Sequence, residues 1–361
     1  MIIKSLKLKN FRNYELLSLD LNQATNIFYG DNAQGKTNIL EAVYLCGTTK
    51  SHRGTKDRDM IRFGEEESHI EVVVEKGNVP YQIDMHLKRN SPKGIAIDKV
   101  PIRRASELFG MLHLVFFSPE DLNIIKNGPA ERRHFIDLEL SQLDKVYLSH
   151  LSSYQRIVNQ RNRLLKDMYD RKELLDTLDI WDMQLADYGQ RIIERRKQFV
   201  EEINEIVQEI HSKLTGEKET LRLSYESSSA EIPLYDAIRR NRERDIRMKS
   251  TSVGPHRDDI CFLSDTLDIR KYGSQGQQRT AALSLKLSEI ELVKRVIHDT
   301  PVLLLDDVLS ELDKHRQNYL LDSIHEVQTL ITCTGLEEFV NHRFSVNKVF
   351  FVKNGIVTRE N

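Results

Sequence analysis

The residues Gly30-Asp31-Asn32-Ala33-Gln34-Gly35-Lys36-Thr37 fit the pattern G-x-x-x-x-G-K-[ST] at every fixed position. The chemistry served by this spacing is phosphate binding. Consecutive backbone N–H groups curl around an anion, Lys36 brings a cation to the outer phosphates, and Thr37 turns its hydroxyl toward Mg²⁺. A distant segment, Pro301-Val302-Leu303-Leu304-Leu305-Asp306-Asp307, reads as a buried strand ending in paired carboxylates. Asp306 is suited to holding Mg²⁺ through a water, and Asp307 to orienting the attacking water. The two segments together predict a chain that binds ATP. A third candidate is Gly273-Ser274-Gln275-Gly276-Gln277-Gln278-Arg279, just ahead of a long helix. Ser274, Gly276 and Gln277 at a helix N-terminus offer a hydroxyl, unpaired N–H groups and the positive end of the dipole, which suits a γ-phosphate. A plain Ser N-cap uses the same residues.

The elements that must position these groups are legible around them. Thr25-Asn26-Ile27-Phe28-Tyr29 is β-rich and precedes the loop, while Ile39, Leu40, Ala42, Val43 and Leu45 follow with helical spacing. Strand, glycine-rich turn and helix is the order a phosphate site requires. Ile70–Val74, Tyr81–Met85 and Leu112–Phe117 read as further strands. The pattern changes at Gly128-Pro129. Leu143, Tyr147, Leu151, Tyr154 and Val158 form one helical seam, and Leu178, Trp181, Leu185, Tyr188 and Ile192 another, continued by Phe199, Ile203, Ile206 and Ile210. Two long helices joined near Asp170-Arg171-Lys172 would bury these seams against each other, as a packed subdomain or an extended arm. A strand near Thr220–Tyr225, a basic helix and a strand at Ile260–Leu263 follow. Helix 281–297, strand 301–305, helix 314–325, strand 328–333 and a terminal hairpin complete the chain. Alternating β and α with a phosphate loop argues for an α/β head. The loop and its carboxylates lie on either side of the helical segment, so the head is discontinuous and the helices are an insertion.

Composition limits what else is open. The 361 residues leave room for about two domains. Charged residues make up 30% and apolar residues 39%, which gives a globular, rather polar chain suited to long helices. A net charge of −2 excludes a broadly basic nucleic-acid surface, so any DNA contact must be a local patch. The densest run, Arg239-Arg240-Asn241-Arg242-Glu243-Arg244-Asp245-Ile246-Arg247-Met248-Lys249, sets six cations against two acids. Lys50, His52 and Arg53 form a second candidate. Cys46, Cys261 and Cys333 are odd in number and far apart, and read as reduced core thiols. Met1 to Lys9 alternates like a strand, not a signal peptide, and no stretch is long enough to span a bilayer. A cytoplasmic protein is expected.

The order of phosphate loop, signature, acidic strand, Leu309-Ser310-Glu311-Leu312-Asp313 and polar strand end Leu330-Ile331-Thr332-Cys333-Thr334 resembles the ABC-type ATPase heads. Asn10-Phe11-Arg12-Asn13-Tyr14 is similar to an element of the chromosome-maintenance ATPases. The phosphate loop through Ala42 resembles that of the RecF family. So do Ser51-His52-Arg53, Ser118-Pro119-Glu120-Asp121-Leu122, Arg132-Arg133-His134-Phe135-Ile136-Asp137, Gly254-Pro255-His256-Arg257-Asp258-Asp259 and Ser274-Gln275-Gly276-Gln277-Gln278-Arg279. With Leu305 to Asp313, the match covers nearly the whole chain. The long-coil relatives need a far longer insertion, and the break-repair members carry a C-x-x-C hook that this chain lacks.

The resemblance implies an ABC-type P-loop ATPase head with an inserted helical arm, divided as 1–125, 126–250 and 251–361. It implies a weak, DNA-stimulated ATPase that assists recombinase loading at gaps, replication-fork repair and the SOS response, with RecR as partner and double-stranded or gapped DNA as ligand. It also implies a head-to-tail homodimer in which Ser274, Gly276 and Gln277 of one subunit complete the ATP site of the other. The other reading is a nucleotide-gated scaffold with negligible turnover. Asp307 replaces the usual Glu of ABC-type heads, so slow hydrolysis is expected. Thr334 lies nearest to the place of the usual histidine, and Ser118 to Asp121 occupies a region where a glutamine is usual.

Overall fold

The first strand alternates buried Leu6 and Leu8 with exposed Lys7 and Lys9, until Asn10, at φ 53°, breaks the alternation and Phe11 is buried beyond it. Ile3 is buried out of phase with Leu6 and Leu8, because a bulge between Ile3 and Ser5 shifts the register. The computed structural model describes residues 1–167, 175–230, 232–336 and 348–360. In chain order, β1 (Ile2–Phe11), β2 (Tyr14–Asp20) and β3 (Thr25–Tyr29) lead to helix α1 (Lys36–Thr48). Then come β4 (Glu67–Lys76), β5 (Val79–Lys88), β6 (Gly94–Ile97), β7 (Val100–Pro101) and β8 (Leu114–Phe117). The helical stretch is α2 (Leu122–Lys126), α3 (Pro129–Leu143), α4 (Lys145–Asp167) and α5 (Leu175–Thr215). β9 (Arg222–Glu226), α6 (Leu234–Arg240), α7 (Arg242–Met248), β10 (Asp259–Ser264), β11 (Leu267–Asp268) and α8 (Ile269–Tyr272) follow. The last described elements are α9 (Gln275–Ile297), β12 (Val302–Asp306), α10 (Lys314–Ser323), β13 (Thr329–Cys333), β14 (Lys348–Lys353) and β15 (Ile356–Glu360).

Two compact units result, one of residues 1–121 with 285–361 and one of residues 122–284. The first holds a six-stranded sheet in the order β15-β14-β3-β13-β12-β8. All its neighbours pair in parallel except β14 with β15. Every residue of β12 and β13 is buried, the continuous apolar run expected of central parallel strands. A second, antiparallel sheet runs β2-β1-β4-β5-β6-β7. Helix α1 touches strands of both sheets and is buried on almost every side, so it lies between them. Gly47 lets it approach β8, because a Cβ there would strike the Leu114 side chain.

In the second unit α4 and α5 run antiparallel. Arg161 near the end of α4 pairs with Asp182 near the start of α5, and Arg196 reaches back to the Tyr147 hydroxyl. α5 also packs on α3, α6 and β9, so its seam is covered by more than its hairpin partner. The joint expected near Asp170-Arg171-Lys172 lies outside the described residues. Arg161 is wholly buried, with Asp182 at 2.7 Å and Asp245 at 2.7 Å. Removing one member of such a buried set costs about 3–5 kcal/mol, because the others lose their counter-charge. The basic run forms two short helices, not one. Arg242 turns inward to Asp182, while Arg239, Arg240, Arg244 and Arg247 stay exposed. Among the described residues, no helix is long and apolar enough to cross a membrane.

Candidate functional site

The loop between β3 and α1 is shaped by its glycines. Gly30 sits at φ 147° and Gly35 at φ 112°, values that L side chains rarely adopt. A Cβ at Gly30 would collide with the Val352 carbonyl on β14, and one at Gly35 with the Asn13 side chain. Inside this curl the Lys36 ammonium is buried, donating to the carbonyl oxygens of Gly30 at 2.7 Å and Asp31 at 2.8 Å. Asp31, Asn32 and Ala33 form its exposed rim.

Thr37, in the first turn of α1, donates its hydroxyl to Asp306 Oδ1 at 2.8 Å, joining the loop to the tip of β12. Thr332 at the end of β13 donates to the same oxygen at 2.7 Å. Burial pushes the Asp306 carboxyl above its usual range, against the pull of the Thr332 and Thr37 hydroxyls. Asp307 leaves the strand in the left-handed region at φ 55°, its N–H donating to the carbonyl and hydroxyl oxygens of Thr332 at 3.3 and 3.1 Å. A buried ammonium within a ring of peptide groups and a hydroxyl–carboxylate pair at its mouth fit a nucleotide phosphate chain and Mg²⁺.

Sequence reasoning missed the supports of this loop. Gln34 is clamped from both sides. The Asn13 amide donates to its carbonyl at 2.9 Å, and the turn after β14 donates through Asn354 N to Gln34 Oε1 at 2.7 Å and Gly355 N to Gln34 O at 3.2 Å. Glu41, fully buried on α1, takes a two-pronged contact from Arg12 at 2.8 and 2.6 Å and a third from Ser51 Oγ at 2.5 Å. Burial opposes ionisation of Glu41, but the Arg12 and Ser51 hydrogen bonds outweigh it and hold its carboxyl below the usual range. Arg12, Glu41 and Ser51 all lie in segments whose types were visible; the pairing between them was not. Thr332 could have been found from the alternation Thr332-Cys333-Thr334, which puts both hydroxyls on one face.

Other candidates fare differently. Thr334, one step past β13, is exposed. His52 is half-buried, its ring packed against Tyr44 and Phe116, and desolvation pushes its pKa down to about 4, so it adds no charge to Lys50 and Arg53 at neutral pH. Arg53 remains partly exposed and reaches Asn38 Oδ1 at 3.3 Å. The Ser118 N–H donates to Asp121 at 2.8 Å, and burial pushes the Asp121 carboxyl up to about 6. Ser274 and Gln277 form a reciprocal cap at the start of α9: Gln277 N donates to Ser274 Oγ at 3.2 Å, and Ser274 N to Gln277 Oε1 at 2.9 Å. Ser274 and Gly276 are exposed, while Gln277 is half-buried.

A mostly parallel sheet, a phosphate loop after one strand and a carboxylate on the tip of a strand two places away define an ABC-type P-loop ATPase head. Residues 2–358 match the family described as the RecF/RecN/SMC N terminal domain. The DNA replication and repair protein RecF of Agathobacter rectalis is 64% identical over 357 residues, 99% of each chain. Its counterpart in Lachnospira eligens is 60% identical over 363 residues, covering both chains completely. A solved structure of the recombination mediator protein RecF with ATP, from the RecFOR pathway, superposes with a TM-score of 0.93 at 35% identity, over 100% of this chain and 98% of that one. The Smc head of Pyrococcus furiosus with ScpA shares the fold, at a TM-score of 0.59 and 16% identity over 99% of this chain and 96% of that one. The chain belongs to the RecF family.

Proposed function

We propose that this protein binds ATP and DNA in recombinational repair and replication-fork maintenance, and that nucleotide state controls its pairing with a second copy of itself. The observation that carries the reading is the convergence of Lys36, Thr37, Asp306 and Thr332 at one loop mouth. Relatives named for DNA replication and repair, and one solved with ATP, support it.

Gly30 to Gly35 wrap the phosphates with backbone N–H groups, and Lys36 exchanges its loop carbonyls for the β- and γ-phosphates. Thr37 and Asp306 would hold Mg²⁺, which would supply neutralisation of the phosphate charge when bound. Thr332 keeps Asp306 aimed at the loop. Asp307 orients the attacking water, and its short side chain suits slow hydrolysis that DNA accelerates. In this reading 1–125 and 251–361 act as the head and 126–250 as its arm.

The γ-phosphate is completed from the other subunit, by the Ser274 hydroxyl with Gly276 and Gln277. Ser274 Oγ accepts from Gln277 N, which leaves its proton available to a phosphate oxygen. A charge-assisted hydrogen bond contributes about 1.5–3 kcal/mol, so one at each of two sites gives roughly 3–6 kcal/mol of ATP-over-ADP preference. A shift from 1:99 to 99:1 needs about 5.5 kcal/mol, so nucleotide state alone nearly switches assembly. Arg53 and the Arg239–Arg240 pair are the proposed DNA contacts, RecR the protein partner, and gap repair and SOS induction in the cytoplasm the setting. Sedimentation with ATP, ADP or no nucleotide tests the reading. Wild type dimerises with ATP alone, whereas Ser274→Arg binds ATP and stays monomeric. An ATP-dependent Ser274→Arg dimer would overturn the composite site.

A further inference from the structure

The antiparallel sheet carries a cluster that nothing in the nucleotide site uses. His69 on β4 stands directly opposite His86 on β5, and their rings stack with centroids 3.9 Å apart at 22°. Glu67 lies two residues before His69, on the same face, and its Oε2 is 2.8 Å from His86 Nε2. One ligand atom from each of the three residues lies within 4.8 Å of the others. We propose that Glu67, His69 and His86 bind a divalent transition-metal ion of the zinc type across β4 and β5.

The donor set decides the class of ion. Two imidazoles and a carboxylate suit Zn²⁺ and its neighbours, whereas Mg²⁺ and Ca²⁺ take oxygen ligands. Tetrahedral Zn²⁺ with bonds of about 2.0–2.2 Å spaces its ligand atoms by ~3.3–3.5 Å, so the Glu67–His86 pair opens slightly and His69 swings in. Glu67 and His69 are exposed and His86 half-exposed, so rotation about their side-chain bonds suffices. Access is also open on the far side of His86. Its partner on β6 is Gly94, where even an added Cβ would meet only the His86 Cβ, at 3.8 Å.

The neighbouring charges are mixed. Lys9 faces His69 from β1 and Lys88 faces Glu67, while Asp84 and Glu71 face each other one step along the same ladder. Lys7 is already held by Glu71 at 2.8 Å, which leaves no uniform positive field to repel a cation. The bland alternative is an exposed Glu67–His86 pair beside a stacked ring, and it uses no lone pair of His69. Three protein ligands leave a fourth position for water or for a donor from another molecule. The ion would pin two adjacent strands of the sheet together.

The test is calorimetric titration of chelator-treated, nucleotide-free protein with Zn²⁺, alongside visible absorption with Co²⁺. Wild type should take up one high-affinity Zn²⁺ per chain and give the intense bands of tetrahedral Co²⁺. His69→Ala and His86→Ala should each weaken binding by more than the ~10–100-fold that loss of an outer partner of a ligand costs. His86→Gln keeps a donor for Glu67 and should lose the metal all the same, which separates ligation from the hydrogen bond. His325→Ala, on an exposed residue elsewhere, should bind as wild type does. Unchanged affinity in the His69→Ala/His86→Ala double variant, or no saturable binding in wild type, overturns the proposal.

Discussion

Asp306→Asn separates what this carboxylate does for a metal from what it does for the fold. Burial is the largest influence on it and pushes its carboxyl above the ordinary value of 3.8, although Thr332 and Thr37 pull it down. For a carboxyl raised in the folded state, the stability it contributes is complete below its unfolded pKa. That contribution is lost as pH rises through the folded pKa. At neutral pH the charge is therefore unfavourable to the nucleotide-free chain. Asn is neutral at every pH, and its amide oxygen can accept from the hydroxyls now at 2.8 and 2.7 Å. Each bond to a neutral acceptor is about 1 kcal/mol weaker than one to a carboxylate, so the pair loses about 2 kcal/mol. Relief of the desolvation acts in the opposite direction and outweighs it. The variant should thus unfold no earlier than wild type at pH 8 without Mg²⁺ and nucleotide, and should lack the wild-type decline in stability as pH rises above 4. Its Mg²⁺-dependent ATP affinity should fall by at least about tenfold, the equivalent of one lost charge-assisted contact. Thermal unfolding and ATP titration with and without Mg²⁺ read the two effects separately. A loss of more than about 2 kcal/mol in the nucleotide-free state, roughly 4–8 °C for a unit this size, would refute the energetic argument. Wild-type Mg²⁺-ATP affinity would refute the metal assignment.

Lys36→Ala should keep the fold and lose most ATP affinity in equilibrium titration; retained affinity would remove Lys36 from the phosphate site. Asp307→Asn should bind ATP, hydrolyse it more slowly and accumulate as the dimer, because Asn tolerates the left-handed backbone at φ 55° and only the charge is lost. Equal single-turnover rates would move the water-orienting role to another carboxylate, Glu311 first. Arg53→Glu and Arg239→Glu/Arg240→Glu should each weaken ATP-dependent duplex binding while ATP binding persists. Each should also make the salt dependence shallower by about 0.9 in log slope per phosphate contact removed. Unchanged slopes in both would place the DNA elsewhere.

The parts of the head legible in the sequence are those carried by contiguous residues. Gly30 to Thr37 stated a turn and an anion site, and Val302 to Asp306 stated a buried strand with a polar tip. Their meeting through Thr37 and Asp306 could be expected because each lacks a chemical purpose alone. The clamp on Gln34 could not, since Asn13 and Asn354 are common turn residues whose partner is fixed only when β1, β2 and β14 assemble. His52 misled for a related reason: beside Arg53 it looked like part of a cationic patch, yet its ring fills the space between Tyr44 and Phe116. The basic run divides at Asn241 into two helices, and Arg242 turns inward to Asp182, a contact between residues sixty apart. At Ser274 one set of atoms both caps a helix and can face a phosphate, and sequence distinguishes neither.

The place of β3 in its sheet also bears on how the protein is made. This strand emerges from the ribosome well before both its neighbours, β13 and β14, which are encoded about 300 residues later. At usual rates of translation the roughly 300 intervening residues take about 15–60 s to appear, and for that time β3 has two unpaired edges. The 122–284 unit is contiguous and contains its own partners, so it can fold on the way out. The phosphate loop cannot: Gly30 needs Val352 above it, and Gln34 needs Asn354 and Gly355. Stalled nascent chains that stop short of β14 should therefore bind no ATP, which ties nucleotide binding to the synthesis of β14 and the turn after it.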